Sequence, residues 1–284
     1  YDEYKIEFLE SLVQNARQYV SKRATCKNSR YDAIDEITDG LSQINLINLL
    51  DSMTSEEIVK KMQEIHSKFI NSGAYVAVIG QKHNIDKVEA VITDYIKDYP
   101  IIKAPLQIDN EEFYKLTTLP GQEKEESSSQ TELIKLNTRA GYTSLAFNLQ
   151  NFKKSPEVLY LINKYLSDGV LWDKIRVNNG AYGAWVTYTD QDCIIFSSYR
   201  DPNPIKSKDL FYESIKEALN IQITQKDVDM IKTSRFGKLN APMSPLNKGV
   251  TQLIRRLTCI TNEDIKNNWK IFFEVTSEDI KETL

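Results

Sequence analysis

The stretch that asks for a chemical reading is Leu171-Trp172-Asp173-Lys174-Ile175-Arg176-Val177-Asn178-Asn179-Gly180-Ala181-Tyr182-Gly183-Ala184-Trp185. It sets two tryptophans, an arginine and a tyrosine around glycines. A guanidinium and a phenol both donate hydrogen bonds, so Arg176 and Tyr182 in one cleft can donate to one oxygen. The same residues have a plain structural reading, in which Arg176 makes an ion pair or caps a helix C-terminus and Tyr182 packs at a rim. Spacing leaves both open.

Other catalytic patterns are missing from the sequence. The two histidines, His66 and His83, stand in no HxxEH, HExxH or i,i+4 pair, so spacing builds no zinc site. His66 is expected on the polar side of a helix and His83 in a turn after a strand, both at the surface. There is no GxSxG elbow, no phosphate-binding glycine loop and no calcium loop. Asp190 and Asp192 fit a hairpin turn better than an acid–base pair. The three cysteines, Cys26, Cys193 and Cys259, are odd in number and widely spaced, which suggests neither a disulfide framework nor a CxxC metal site. A reducing interior is the mild expectation.

The elements that must carry Arg176 and Tyr182 are legible around them. Ser155-Pro156-Glu157 is a helix start, with Ser as N-cap and Pro at the first helical position. Val158, Ile162, Tyr165 and Leu166 form the stripe of that helix, Gly169 interrupts it, and Leu171, Trp172 and Ile175 resume a short apolar face. Arg176 then ends a helix and Tyr182 begins a strand. Residues 181–188 and 193–199 read as a hairpin closed by residues 189–192, and Asp201-Pro202-Asn203-Pro204 ends it. Further on come a helix through Leu210, Ile215 and Leu219, a helix over residues 224–238 facing inward through Val228 and Ile231, and a helical stretch over residues 249–259. Upstream, residues 132–138 and 143–150 alternate as strands do.

The first hundred residues are mostly helical in pattern. Phe8, Leu12 and Ala16 recur at helical spacing before a break at residues 27–30, and Ile34, Ile37 and Leu41 follow from Ala33. Leu46, Ile47, Leu49 and Leu50 are apolar on several sides, which predicts burial. Thr54-Ser55-Glu56-Glu57 is a capping box opening a helix expected to turn Ile58, Met62, Ile65 and Phe69 inward until residues 71–73 stop it. Residues 74–79 read as a buried strand, with a helix through Val88, Val91, Ile92, Tyr95 and Ile96 after it. Residues 105–130, with Pro105, Pro120, Gly121 and a charged serine-rich run, read as a linker. The capping box recurs at Val275-Thr276-Ser277-Glu278-Asp279-Ile280. If the halves are homologous, the second copy stops before its strand and second helix, implying truncation.

Length and composition bound the class. With about 150 residues to a domain, 284 residues make roughly two. Only 10 glycines and 8 prolines exclude collagen-like and low-complexity chains. No run approaches the about 20 apolar residues that span a bilayer, so no membrane role is expected. A net charge of -4, from 36 bases and 40 acids, argues against a dedicated nucleic-acid binder.

LWDKIRVNNGAYGAW, followed after the hairpin by SYRDPNP, resembles the C-terminal half of insulinase-like (pitrilysin or inverzincin) zinc metallopeptidases, within them the presequence-protease and falcilysin branch. The segment AYVAVIGQKHNIDKVEAVITDYI resembles the strand-glycine-helix that closes a domain in the same family. The resemblance implies an α+β fold: two related insulinase-like α/β domains, helices packed on mainly antiparallel sheets, truncated at both ends. Residues 1–104 would be the C-terminal part of a third domain, 105–130 a linker, and 131–284 a fourth domain lacking its final elements. It further implies a zinc metalloendopeptidase that degrades short unfolded peptides in a closed chamber. The zinc and its HxxEH motif would belong to an N-terminal catalytic half of the same polypeptide, leaving this segment alone inactive. Arg176 and Tyr182 would reach across the chamber to the substrate carbonyl, and the partners would be that N-terminal half and unstructured peptides, with no nucleic acid and no membrane. The rival expectation is a non-proteolytic peptide-binding or structural homologue of the same superfamily.

Overall fold

The computed structural model describes residues 2–71, 78–97, 116–117, 119, 131–149, 152, 155–189, 193–220 and 222–284. Among them the chain is mixed α+β, with twelve α-helices, one π-helical turn and one three-stranded antiparallel sheet. No described helix is long and apolar enough to cross a membrane. The chain divides into two compact units, one formed by Tyr1–Asn48, Asp109–Phe236 and Lys270–Leu284, the other by Leu49–Ile108 and Gly237–Trp269.

The first unit holds the sheet, β1 (Gly141–Asn148), β2 (Gly183–Thr189) and β3 (Cys193–Asp201), in the order β1-β3-β2. The hairpin reading of β2 and β3 holds, with Thr189 paired to Cys193; residues 190–192, and the Asp190/Asp192 expectation, lie outside the described residues. Residues 132–138 are not a strand. Their side chains do alternate in exposure over residues 131–136, but a strand is defined by a ladder partner, which alternation alone does not supply.

Strand periodicity gives the sheet two differently filled faces. Phe147 meets Tyr212 and Phe196 meets Phe211 on the face covered by α7 (Pro156–Asp168) and α8 (Pro204–Ala218). Buried Leu161, Ile162, Leu166, Leu171, Ile175, Val186, Phe196 and Phe211 supply the core of this unit. Ser155 caps α7 by accepting from the Val158 amide at 3.3 Å, as its Ser-Pro-Glu start predicts. On the opposite face α2 (Ala16–Thr25) lies on β1 and β3, where Ser21 meets Ser144 at 3.3 Å and Ser144 meets Ser197 at 3.2 Å. A satellite cluster of Phe8, Tyr19 and Ile47 joins α1 (Asp2–Gln14), α2 and α4 (Gln43–Asp51), while α3 (Arg30–Asp39) packs on α2. Of the four residues around Leu46 expected to be buried, only Ile47 is; Leu46 and Leu49 are exposed.

Beside these clusters lies a buried charge network. Arg23 donates to both carboxylate oxygens of Glu132, at 2.6 and 2.9 Å, to Glu36 at 3.4 Å and to the Thr117 carbonyl. Glu36 accepts from the Ser42 amide and hydroxyl at 3.0 and 2.9 Å. Burial pushes the Glu36 carboxyl above its ordinary value, against the pull of Ser42 and Arg23.

The second unit contains α5 (Ser55–Asn71), α6 (Lys82–Ile96), α10 (Pro245–Leu257) and most of α11 (Asn262–Glu274). The capping box at Thr54 forms: the Thr54 amide donates to Glu57 at 2.8 Å and the Glu57 amide donates to the Thr54 hydroxyl at 3.3 Å. The inward face expected for α5 does not. Met62, Ile65 and Phe69 are 64%, 66% and 76% exposed, and Val88, Val91 and Tyr95 of α6 are exposed too. Periodicity marks an apolar face, but burial needs a second element opposite it, and no single-helix pattern encodes that element. The strand expected over residues 74–79 falls mostly outside the described residues.

The C-terminal helices α9 (Gln225–Leu239) and α12 (Ser277–Thr283) belong to the first unit, apart from the last residues of α9. The second capping box is complete at Thr276, and Ile280 beyond it is fully buried, with α12 against α7.

Candidate functional site

The site grows out of the interruption at Gly169. After α7 the chain makes a π-helical turn over Trp172–Val177, closed by the Asn178 amide donating to the Asp173 carbonyl at 2.9 Å. Single π-turns concentrate at functional positions because the inserted residue re-aims its neighbours. Here Leu171 and Ile175 point into the core, while Trp172 and Arg176 stand outward, the guanidinium carbon 4.2 Å from the Trp172 ring centre.

Residues 178–182 carry the chain from the turn to β2 under tight control. Gly180 has φ +83, a left-handed conformation open to glycine without strain, and a Cβ there would touch Pro202 at 3.4 Å. Asn179 is buried and donates to the Ser207 hydroxyl at 2.9 Å, with the Asp201 carboxylate 3.4 Å away. Asp201, fully buried, also accepts from the Asn203 amide at 2.8 Å, so the Asp-Pro-Asn turn and the 178–182 loop share one polar anchor. A bulge completes the frame. Tyr199 pairs with Tyr142 and Asp201 with Gly141, leaving Arg200 out of register at φ 46. The Tyr182 amide donates to the Tyr199 carbonyl at 3.0 Å and approaches that of Arg200 at 3.4 Å.

Arg176 and Tyr182 are brought together. Arg176 Nη1 donates to the Tyr182 carbonyl at 2.7 Å, and its guanidinium lies 5.4 Å from the Tyr182 ring centre as well as over Trp172. Among the described residues Arg176 forms no ion pair, so the ion-pair reading is not realised there. Tyr182 is 62% exposed and packs edge-on against Tyr199, with ring centres 5.9 Å apart. Its hydroxyl bonds to no described residue. An oriented guanidinium with uncommitted N–H groups beside an uncommitted phenol can donate to one carbonyl oxygen. Trp185 stands apart from this pair, beneath Arg17 of α2 at 5.2 Å.

Asn179, Asp201, Ser207, Tyr199, Arg200 and Arg17 were not singled out as site residues by sequence reasoning. The first five had a signal, since they lie in or beside NNGAY and SYRDPNP. Arg17 had none, because only the packing of α2 on the sheet brings it near.

Other chemistries find little support. Among the described residues no group of three or more His, Cys, Asp or Glu side chains could hold a metal. His66 is exposed on α5, and His83 is exposed near the start of α6 rather than in a turn. Burial pushes the Cys193 thiol up to about 12, so it stays protonated and poorly nucleophilic at neutral pH. Cys26 is also buried and its thiol raised for the same reason, although Arg23 opposes the shift.

The family model described as PreP C-terminal domain matches residues 131–283. A mitochondrial presequence protease of Candida albicans is 24% identical over 96% of this chain, which covers 27% of that relative. Presequence protease 1, chloroplastic/mitochondrial, of Arabidopsis thaliana is 23% identical over 88% of this chain and 22% of its own length. The chain thus spans about a quarter of the length of such relatives. A crystal structure of a peptidase M16 inactive domain from Pseudomonas fluorescens aligns at TM-score 0.40 and 19% identity over 50% of this chain and 37% of its own.

Proposed function

The chain belongs to the PreP C-terminal domain family, and from that premise we propose that it is the non-catalytic C-terminal half of a zinc metalloendopeptidase that degrades short unfolded peptides in a closed chamber. In this reading residues 131–284 form the fourth of four related insulinase-like domains, residues 1–104 part of the third, and residues 105–130 the linker. In this reading the zinc belongs to an N-terminal catalytic half of the same polypeptide. The work of this chain is confined to binding and orienting the substrate.

The observation that carries the proposal is the guanidinium of Arg176, held by one hydrogen bond to the Tyr182 carbonyl and by the rings of Trp172 and Tyr182. That bond commits one N–H and leaves the others for a peptide carbonyl, with the Tyr182 hydroxyl as a second donor. Both bonds strengthen as the carbonyl oxygen gains charge during hydrolysis, and that difference lowers the barrier. Asn179, Gly180 and Asp201 act as positioning residues, since they fix the loop on which the pair depends.

In the native polypeptide, Arg176→Ala and Tyr182→Phe are each expected to lower kcat by about one to three orders of magnitude, as loss of an oxyanion donor does. Steady-state cleavage of an unstructured peptide measures it. Unchanged kcat in both variants would overturn the role and favour the non-proteolytic, peptide-binding or structural reading.

A further inference from the structure

We propose that Arg17 and Arg200, with Trp185 and Tyr199, form a carboxylate-binding subsite beside Arg176 and Tyr182, one that takes an acidic side chain or the C-terminal carboxylate of a bound peptide. The proposal deepens the peptide-handling reading above and rests on it.

The subsite follows from how α2 lies on the sheet. Ser21 of α2 contacts Ser144, which faces Ser197 of β3. One helical turn earlier on the same side of α2 comes Arg17. Trp185 is paired to Ser197 and Tyr199 lies two residues along β3, so both rings share that face. The Arg17 guanidinium carbon accordingly lies 5.2 Å from the Trp185 ring centre and 5.9 Å from that of Tyr199. Tyr199 is the hub of the surface. Arg200 stands 5.4 Å from its ring centre, and the rings of Tyr142 and Tyr182 lie 5.7 and 5.9 Å away.

The chemistry of these arginines differs from that of Arg23 in the same unit. Arg23 is buried and saturated by Glu132, Glu36 and Thr117. Arg17 and Arg200 are exposed, and among the described residues neither they nor Arg176 has a carboxylate partner. An arginine laid against aromatic rings keeps the donors on its edge, and that fork matches the two oxygens of a carboxylate. Three positive charges around two tyrosines, none of them ion-paired among the described residues, stand out in a chain of net charge -4. Such a cluster attracts an anion at short range. Arg200 is also one of only two non-glycine residues with positive φ among those described. Strain of that kind persists where the surroundings hold a side chain in place, as the bulge against β1 does here.

The test is binding of a fluorescein-labelled unstructured peptide to the chain, read by anisotropy. Four peptides are compared: one with a glutamate and a free C-terminus, its C-terminal amide, its Glu→Gln version, and the version with both changes. The wild-type chain is expected to bind at least one carboxylate-bearing peptide about tenfold tighter than the doubly neutral one, the worth of a charge-assisted hydrogen bond. Whichever single change abolishes the preference identifies the source of the carboxylate. Arg17→Gln with Arg200→Gln is expected to erase the preference, and Arg17→Lys, which keeps the charge but loses the fork, to reduce it. Equal or undetectable binding of all four peptides by the wild-type chain overturns the proposal, as does a preference that survives the double variant with its far-ultraviolet circular dichroism unchanged. Arg176→Ala is expected to weaken all four peptides alike. If kcat proves indifferent to Arg176 while the Arg17 and Arg200 preference stands, the peptidase reading fails and the carboxylate subsite does not.

Discussion

The two units of this chain translate similar sequence patterns into different degrees of burial. In the sheet-bearing unit, α7 turns Val158, Ile162 and Leu166 into the core, as its stripe predicts. In the helical unit, α5 and α10 carry equally clear stripes, yet among the described residues neither helix has a buried side chain. Every fully buried charged group and every buried apolar side chain of the described residues belongs to the sheet-bearing unit. Amphipathicity is a property of one helix, whereas burial is a property of two elements, and among the described residues the units differ in whether a second element covers the stripe.

The largest expected consequence is a contrast in tolerance to truncation. Phe196→Ala removes a nearly fully buried ring that contacts Phe147 and Phe211. It should destabilise the sheet-bearing unit by about 3–5 kcal/mol. Ile65→Ala on α5, at a site 66% exposed, should change stability by no more than about 0.5 kcal/mol. Chemical denaturation of both variants measures the pair. An Ile65→Ala cost approaching that of Phe196→Ala would show that the α5 face is covered in solution, and the contrast would fall.

This contrast also marks how far the sequence could be read. Local chemistry was legible wherever a few neighbouring residues settle the outcome. The Ser155 cap, both capping boxes, the stop at Gly169 and the β2–β3 hairpin all depend on contacts within a few positions. The proximity of Arg176 and Tyr182 belongs to the same class, since a single π-turn and one glycine with positive φ bring them together. Long-range placement was not legible. Nothing in the spacing of residues 16–25 says that Arg17 will lie over Trp185. The alternation of residues 132–138 cannot say whether a neighbouring strand exists to pair with. The buried ion pair of Arg23 and Glu132 joins residues 109 positions apart, and in sequence each looks like an ordinary surface charge.

The repeated capping box sharpens the comparison, because it places one device in both units. Thr54→Ala and Thr276→Ala each remove the hydroxyl that accepts from an N3 amide, from Glu57 and Asp279 respectively. The local cost is about 0.5–2 kcal/mol in each case. Its reach should differ. Ile280 is fully buried and α12 packs on α7, so loosening the start of α12 should lower the denaturation midpoint of the whole sheet-bearing unit. α5 has no buried residue to transmit the loss. Thr54→Ala should therefore appear mainly as faster amide hydrogen exchange over residues 55–58. Equal shifts of the global midpoint in the two variants would count against the distinction.

The smallest expected effect is the reversed sign of pH dependence at one buried carboxyl, Glu36. In the helical unit the shifted carboxyls are Glu57, Glu64 and Asp264, all held below their ordinary values, Glu57 and Asp264 by hydrogen bonds from Thr54 and Thr261 and Glu64 by Lys61. Groups of that kind favour the folded state above their ordinary pKa and lose the effect as pH falls through the folded one. Glu36 in the sheet-bearing unit runs the other way. Burial lifts its carboxyl above the ordinary 4.5, and the missing side chain of Gly40 lets its Oε2 sit where a Cβ would collide with it. Between 4.5 and the raised value the folded chain holds a proton that the unfolded chain has released. The slope of stability with pH follows the protons bound unfolded minus those bound folded, so here it is negative, and stability declines as pH rises through that interval. Glu36→Gln should abolish this contribution while removing no other carboxyl. Subtracting the variant's stability from the wild type's at each pH isolates it. The difference should fall with pH from 4.5 upward and then level off, whereas a flat or rising difference would mean that Glu36 is ionised in the folded chain as readily as in the unfolded one.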